Sequence, residues 1–160
     1  MWKVKTQRNK SMKKIASFEI DHDQLKPGLY LSRTDRNTYT LDLRLTRPNT
    51  TPLGVGALHT IEHLAATYLR NSDIKDGVCY FGPMGCLTGC YLVLFDDITE
   101  EKAAKAVKAA FEFIISFEGV VPGTASSKEC GNYLLHDLDG AKEIARNYVK
   151  ALSDRFNIYP

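Results

Sequence analysis

The chain has 160 residues, 44% hydrophobic and 25% charged, a length and balance that suit one globular unit with its own core. A formal net charge of +2 is too small to argue for nucleic acid or an acidic membrane surface as a partner. No run of about 18 apolar residues occurs, so no membrane-spanning helix is expected.

Residues 1–16, MWKVKTQRNKSMKKIA, are basic but have no apolar h-region and no small-residue cleavage site, so they do not read as a secretory signal. They read as a disordered extension, with Met12 as an alternative start, ahead of one domain over 17–160. The expected compartment is the cytoplasm. Cys79, Cys86, Cys90 and Cys130 are too sparse for a disulfide scaffold, and without an export signal they read as reduced thiols.

Residues 17–20 alternate in polarity and read as a short strand, and LKPGLYLS supplies a turn and a second one. NTYTLDLRLTRPN is the clearest strand. Tyr39, Leu41, Leu43 and Leu45 face one way, and Thr38, Thr40, Asp42, Arg44 and Thr46 face the other. By pattern alone, Arg44 is a solvated arginine on the polar side of a sheet. TPLGVGALHTIEHL enters a helix whose apolar side is Leu58, Ile61, Ala65, Tyr68 and Leu69. DGVCYFGPMGCLTGCYLVLFDD reads as strand, tight turn, then a buried strand through residues 91–95. Asp97 followed by Glu100 resembles a capping box that opens a long helix striped by Ala103, Ala106, Val107, Ala110, Phe111 and Ile114. VVPGTASSK is a loop. A last helix is expected from about Ala141, with Ile144, Ala145, Tyr148 and Leu152 at helical spacing. The sum is an α+β fold, an antiparallel sheet with helices packed on one face.

Within the first helix, His59, Glu62 and His63 stand at i, i+3 and i+4, one turn apart on one face. Two imidazoles aimed at one point, with a carboxylate beside them, suit a divalent metal and an acid/base group. A pair of partly buried structural histidines is the plainer reading. The pattern is also the inverted form of the zinc-protease signature. A third ligand must come from elsewhere, and Cys130, following a Gly- and Ser-bearing loop, is the best candidate. Cys86 lies in GPMGCLTGC, between glycines that allow an unusual backbone path, where a thiol could be exposed and activated by a cation. Cys79 and Cys90 read as buried strand cysteines, and His22 and His136 as structural histidines.

Taken in order, SFEIDH, LDLRL, HTIEHLAATYLRN, GPMGCLTG, ECG and LHDLDGAK resemble the S-ribosylhomocysteine lyase (LuxS) family from Ser17 onward. The resemblance implies that His59, His63 and Cys130 hold one divalent metal, Fe²⁺ in the cell, with Zn²⁺ or Co²⁺ as substitutes. It implies that Glu62 and Cys86 carry protons, and that Arg44 lies near the Cys86 thiol. Ser17 and His22 match residues that contact substrate, and Arg70 matches one at its amino-acid end. It further implies a homodimer with active sites at the subunit interface. The reaction would cleave S-ribosylhomocysteine to homocysteine and 4,5-dihydroxy-2,3-pentanedione, the autoinducer-2 precursor, by enediolate isomerisations and β-elimination. Two positions depart from the family pattern: Leu87 where a polar residue is common, and Tyr80 where a carboxylate is expected. The rival readings are an inverted-motif metalloprotease with Glu62 as base, and a non-catalytic metal-stabilised binding module.

Overall fold

The period-two alternation from Thr38 to Arg44 sets the architecture. In the computed structural model, which describes residues 12–160, this segment is strand β2 (Thr38–Arg44). It pairs antiparallel with β1 (Gly28–Asp35) on one side and β4 (Gly89–Phe95) on the other. Strand β3 (Val78–Pro83) completes the sheet on the far side of β4, giving the order β1-β2-β4-β3. Helix α1 (Val55–Leu69) links β2 to β3, and α2 (Glu100–Ser116) and α3 (Leu138–Val149) follow β4. The α+β expectation holds. The expected basic extension lies, over residues 1–11, outside the described residues.

Register explains which face is which. Leu41 opposes Leu92 and Leu43 opposes Cys90, while Asp42 opposes Tyr91. Leu41, Leu43, Cys90, Leu92 and Leu94 thus share the inner face, all at most 1% exposed. Leu58, Ile61, Leu64 and Ala65 of α1 and Phe111 and Ile114 of α2 belong to the same buried cluster. Each fully buried Leu or Ile side chain there contributes about 1.5–3 kcal/mol relative to exposure. Helix α3 is locked on by Tyr148, whose ring meets Phe111 edge-on at 4.7 Å and whose hydroxyl donates to the Gly28 carbonyl at 3.1 Å. Among the described residues, no helix is long and apolar enough to cross a membrane.

Local chemistry moves several boundaries. Residues 17–20 form no strand. Ala16–Phe18 closes into a 3₁₀ turn, with Phe18 N–H donating to the Ile15 carbonyl and Glu19 N–H to that of Ala16, so the segment needs no sheet partner. Helix α2 is capped by Thr99 rather than Asp97, because the Thr99 hydroxyl accepts from Lys102 N–H at 3.3 Å. Helix α3 starts three residues before the expected Ala141, where the Asp137 carboxylate accepts from Gly140 N–H at 2.9 Å. Leu152 lies past its end.

Arg44 is the largest departure from the pattern reading. It is 2% exposed rather than solvated. Its Nη2 donates to Asp42 at 2.6 Å and its Nη1 to the Thr88 hydroxyl at 2.5 Å on the outer face of the sheet, while Nε is buried without a partner. A buried charge is tolerated when it is paired and hydrogen-bonded in this way.

Candidate active site

The helical spacing of the first histidine pair works as the motif requires. The His59 and His63 rings lie 4.7 Å apart, nearly perpendicular. His59 Nδ1 is 2.8 Å from the Leu135 carbonyl and His63 Nδ1 is 2.7 Å from that of Pro122. A carbonyl can only accept, so each Nδ1 carries the proton and each Nε2 is left free as a ligand atom. The Cys130 thiol lies 3.4 Å from His59 Nε2.

The loop that delivers Pro122 depends on Gly123. Its φ of +77° is in the left-handed region, and a Cβ there would stand 3.1 Å from His63 Nδ1. Glycine meets both constraints at no steric cost.

A fourth donor joins this cluster. His136 stacks on His59 at 4.1 Å, and its nearest ligand atom falls with those of His59, His63 and Cys130 within 4.8 Å of one another. The Thr60 hydroxyl, whose single proton goes to the Gly56 carbonyl at 2.8 Å, is 3.1 Å from His136 Nδ1. That ring nitrogen must therefore donate, leaving Nε2 deprotonated; Nε2 is buried and has no hydrogen-bond partner. Burial, then the nearby His59 and His63, lowers the His136 pKa and favours the neutral ring that a metal requires. The sequence reading takes His136 as structural and does not place it beside the cluster. The only local signal was its position six residues after Cys130.

Imidazoles and a thiolate are donors that Fe²⁺, Zn²⁺ and Co²⁺ accept, so this cluster could hold a metal ion. It opens on a cavity of about 470 Å³ that His59, Glu62, His63 and Cys130 line together. Glu62 therefore shares a space with the candidate ligands.

Cys86 is elsewhere. Its thiol is exposed, in the turn between β3 and β4, and is not among the residues lining that cavity. Met84 N–H donates to the Gly89 carbonyl and Leu87 N–H to that of Met84, which folds the turn tightly. The left-handed position is not a flanking glycine but Leu87, at φ 59°. That conformation costs a non-glycine residue roughly 1–2 kcal/mol. The thiol lies 3.1 Å from the Thr88 hydroxyl and 3.9 Å from Arg44 Nη1. Partial burial pushes the Cys86 pKa up, but the Thr88 hydrogen bonds and the Arg44 charge outweigh it, and the thiol sits below its ordinary value. Cys90 is fully buried and shifted far upward by desolvation. Cys79 is only partly buried.

The other sequence candidates are scattered. Ser17 lines a separate cavity of about 350 Å³ with Thr40, Tyr80 and Tyr91 over the outer face of the sheet. The His22 ring bonds the Ile20 carbonyl at 2.8 Å. Arg70 donates to the carbonyls of Val78 and Cys79, tying the end of α1 to β3.

Residues 15–157 match the family model described as S-Ribosylhomocysteinase (LuxS). The S-ribosylhomocysteine lyase of Phocaeicola vulgatus is 52% identical over 144 residues, covering 86% of this chain and 89% of that protein. That of Porphyromonas gingivalis is 47% identical, covering 89% and 93%. That of Clostridium beijerinckii is 43% identical, covering 93% and 99%. A family match over residues 15–157, with relatives 43–52% identical across most of their length, leaves one conclusion: the chain belongs to the S-ribosylhomocysteinase (LuxS) family.

Proposed function

We propose that this chain cleaves S-ribosylhomocysteine to homocysteine and 4,5-dihydroxy-2,3-pentanedione. The observation that carries the reading is the shared cavity of His59, His63, Cys130 and Glu62. In the proposal His59, His63 and Cys130 are the metal ligands, and Fe²⁺ is the cellular ion, with Zn²⁺ or Co²⁺ able to substitute. The ion, when bound, supplies Lewis-acid polarisation of the substrate carbonyl.

The residues of the chain handle the protons. With the sugar opened to its aldose, a base takes the C2 proton and an acid returns one to C1, moving the carbonyl to C2. A second round moves it to C3. The C4 proton is then acidic; its removal forms the C4–C5 double bond as the C5–S bond breaks, and homocysteine leaves with the electron pair and takes up a proton. The C4 enol ketonises by gaining a proton at C5 and losing its hydroxyl proton, which gives the dione. Each transfer needs a carrier within hydrogen-bond reach. Glu62 serves on the cavity side, and the Cys86 thiol, held partly as thiolate beside Arg44, serves the other. Ser17, His22, Arg44 and Arg70 are the proposed substrate contacts.

The proposal includes a homodimer, which the family resemblance implies and the separation of these groups supports. Arg44, the cation beside Cys86, is on the outer face of the sheet, whereas Glu62 is on the helix that covers the inner face. We infer that one chain's cluster works with its partner's thiol. The test is anaerobic purification, metal analysis, then incubation with S-ribosylhomocysteine while free thiol is followed. Folded, metal-loaded protein that releases no thiol would end the proposal.

A further inference from the structure

The outer face of the sheet carries a chain of polar contacts that reaches the Cys86 thiol from a distant segment. Phe156 N–H donates to the Glu100 carboxylate at 2.7 Å. Asn157 then runs parallel to β1: its N–H donates to the Leu29 carbonyl at 2.6 Å, and its side-chain oxygen accepts from Leu29 N–H at 3.1 Å. Two residues on, the Tyr159 ring stacks flat on Tyr30, with centroids 4.9 Å apart and planes within 1°. This fixes the Tyr159 hydroxyl, which donates to Asp42 Oδ2 at 2.9 Å. The same oxygen accepts from Arg44 Nη2. Arg44 Nη1 is then presented to Thr88 and to the Cys86 sulfur.

We propose that Tyr159 is a positioning residue for Cys86, acting through Asp42 to set how much of the Arg44 guanidinium is available to the thiol. A carboxylate oxygen shared between a hydroxyl and a guanidinium holds the guanidinium less tightly than one that serves it alone. Without the Tyr159 hydroxyl, Asp42 draws Arg44 closer and neutralises more of its charge. The thiolate then loses part of the cation that stabilises it. The Tyr159 phenol itself is shifted upward by burial and by Asp42, so it stays a donor across the working pH range.

This inference rests on the reading of Cys86 as a proton carrier, and its test separates the two. In Tyr159→Phe the ring and its stacking on Tyr30 remain, so the fold should be kept and only the hydroxyl is lost. The rate of iodoacetamide alkylation at Cys86, identified by peptide mapping, is measured against pH in the metal-bound protein. The Tyr159→Phe midpoint should move upward by about half a pH unit. Tyr30→Phe, which loses only a bond to the Lys26 carbonyl, should leave it in place. In turnover, the acid limb of kcat should move with the Tyr159→Phe midpoint while KM stays within about twofold. A Cys86 midpoint in Tyr159→Phe that is unmoved, moves down, or moves equally in Tyr30→Phe overturns the proposal. If Cys86→Ala turns over normally, the proton-carrier reading falls instead, and the alkylation result still decides the coupling.

Discussion

Asp42 and Arg44 project from one strand to the same face and meet at 2.6 Å, with 1% and 3% of their side chains exposed. Asp42 sits on the outer face between Tyr91 across the register and Tyr159, which bonds it directly. The pair is both a structural element and the electrostatic neighbour of Cys86, and the two roles separate experimentally.

Arg44→Ala should destabilise the fold by about 3–5 kcal/mol, since it strands a buried carboxylate. The double variant Asp42→Leu with Arg44→Met should recover most of that in denaturant titration, because apolar replacement of a buried pair is often close to neutral. The thiol separates the roles. Burial raises the Cys86 pKa, and Thr88 and Arg44 together lower it further than burial raises it. Removing the guanidinium leaves burial less opposed, so the alkylation midpoint should rise in the stable double variant as well. An unmoved midpoint would show that Thr88 alone sets the thiol.

Cys130→Ala should lose both metal and thermal stability, because metal-binding free energy at such a site is also folding free energy. His136→Ala should still bind one ion per chain if His59, His63 and Cys130 are the ligands. Metal analysis after gel filtration distinguishes the cases, and loss of the ion from His136→Ala would make the donor set four.

Gly123→Ala tests the support of His63. The substitution forces a Cβ into left-handed backbone and toward the His63 ring. It should cost roughly 1–2 kcal/mol of stability and weaken metal retention against a chelator. Unchanged chelator kinetics would mean the Pro122 carbonyl alone holds the ring.

How legible these features were depended on how local their causes are. The period-two pattern of β2 fixes its two faces, and helical spacing brings His59 and His63 together, because both follow from backbone geometry. The burial of Arg44 does not, since it requires a hydroxyl 117 positions from Asp42 and a turn that brings Thr88 alongside. His136 was hidden for the same reason. Its free nitrogen follows from a Thr60 hydroxyl 76 positions away, whose proton is already spoken for by Gly56. Leu87 illustrates a different limit. Glycines in GPMGCLTGC suggested the unusual backbone, yet the left-handed residue is a leucine, held by its carbonyl accepting from Leu53 N–H.

The two proposed proton carriers, Glu62 and Cys86, can be placed relative to each other by complementation. Glu62→Gln and Cys86→Ala should each keep metal and fold, because neither is a proposed ligand. Each variant alone should lose about 10²-fold or more in rate, the usual scale for a positioned acid or base. The two variants differ in which surface carries the lesion: Glu62 lines the cavity of the histidine–cysteine cluster, and Cys86 belongs to the Arg44 network on the other side of the sheet. If a site combines one chain's Glu62 with its partner's Cys86, a mixed dimer contains one fully damaged site and one intact site. Unfolding the two variants together and refolding them with metal should then restore roughly a quarter of wild-type activity, since half the dimers are mixed and each has one good site. Sites built within single chains would give no recovery, because every chain carries one lesion. Equal activity before and after mixing, with mixed dimers confirmed by mass spectrometry, would place both carriers on one chain and require Cys86 to reach the cavity by another route.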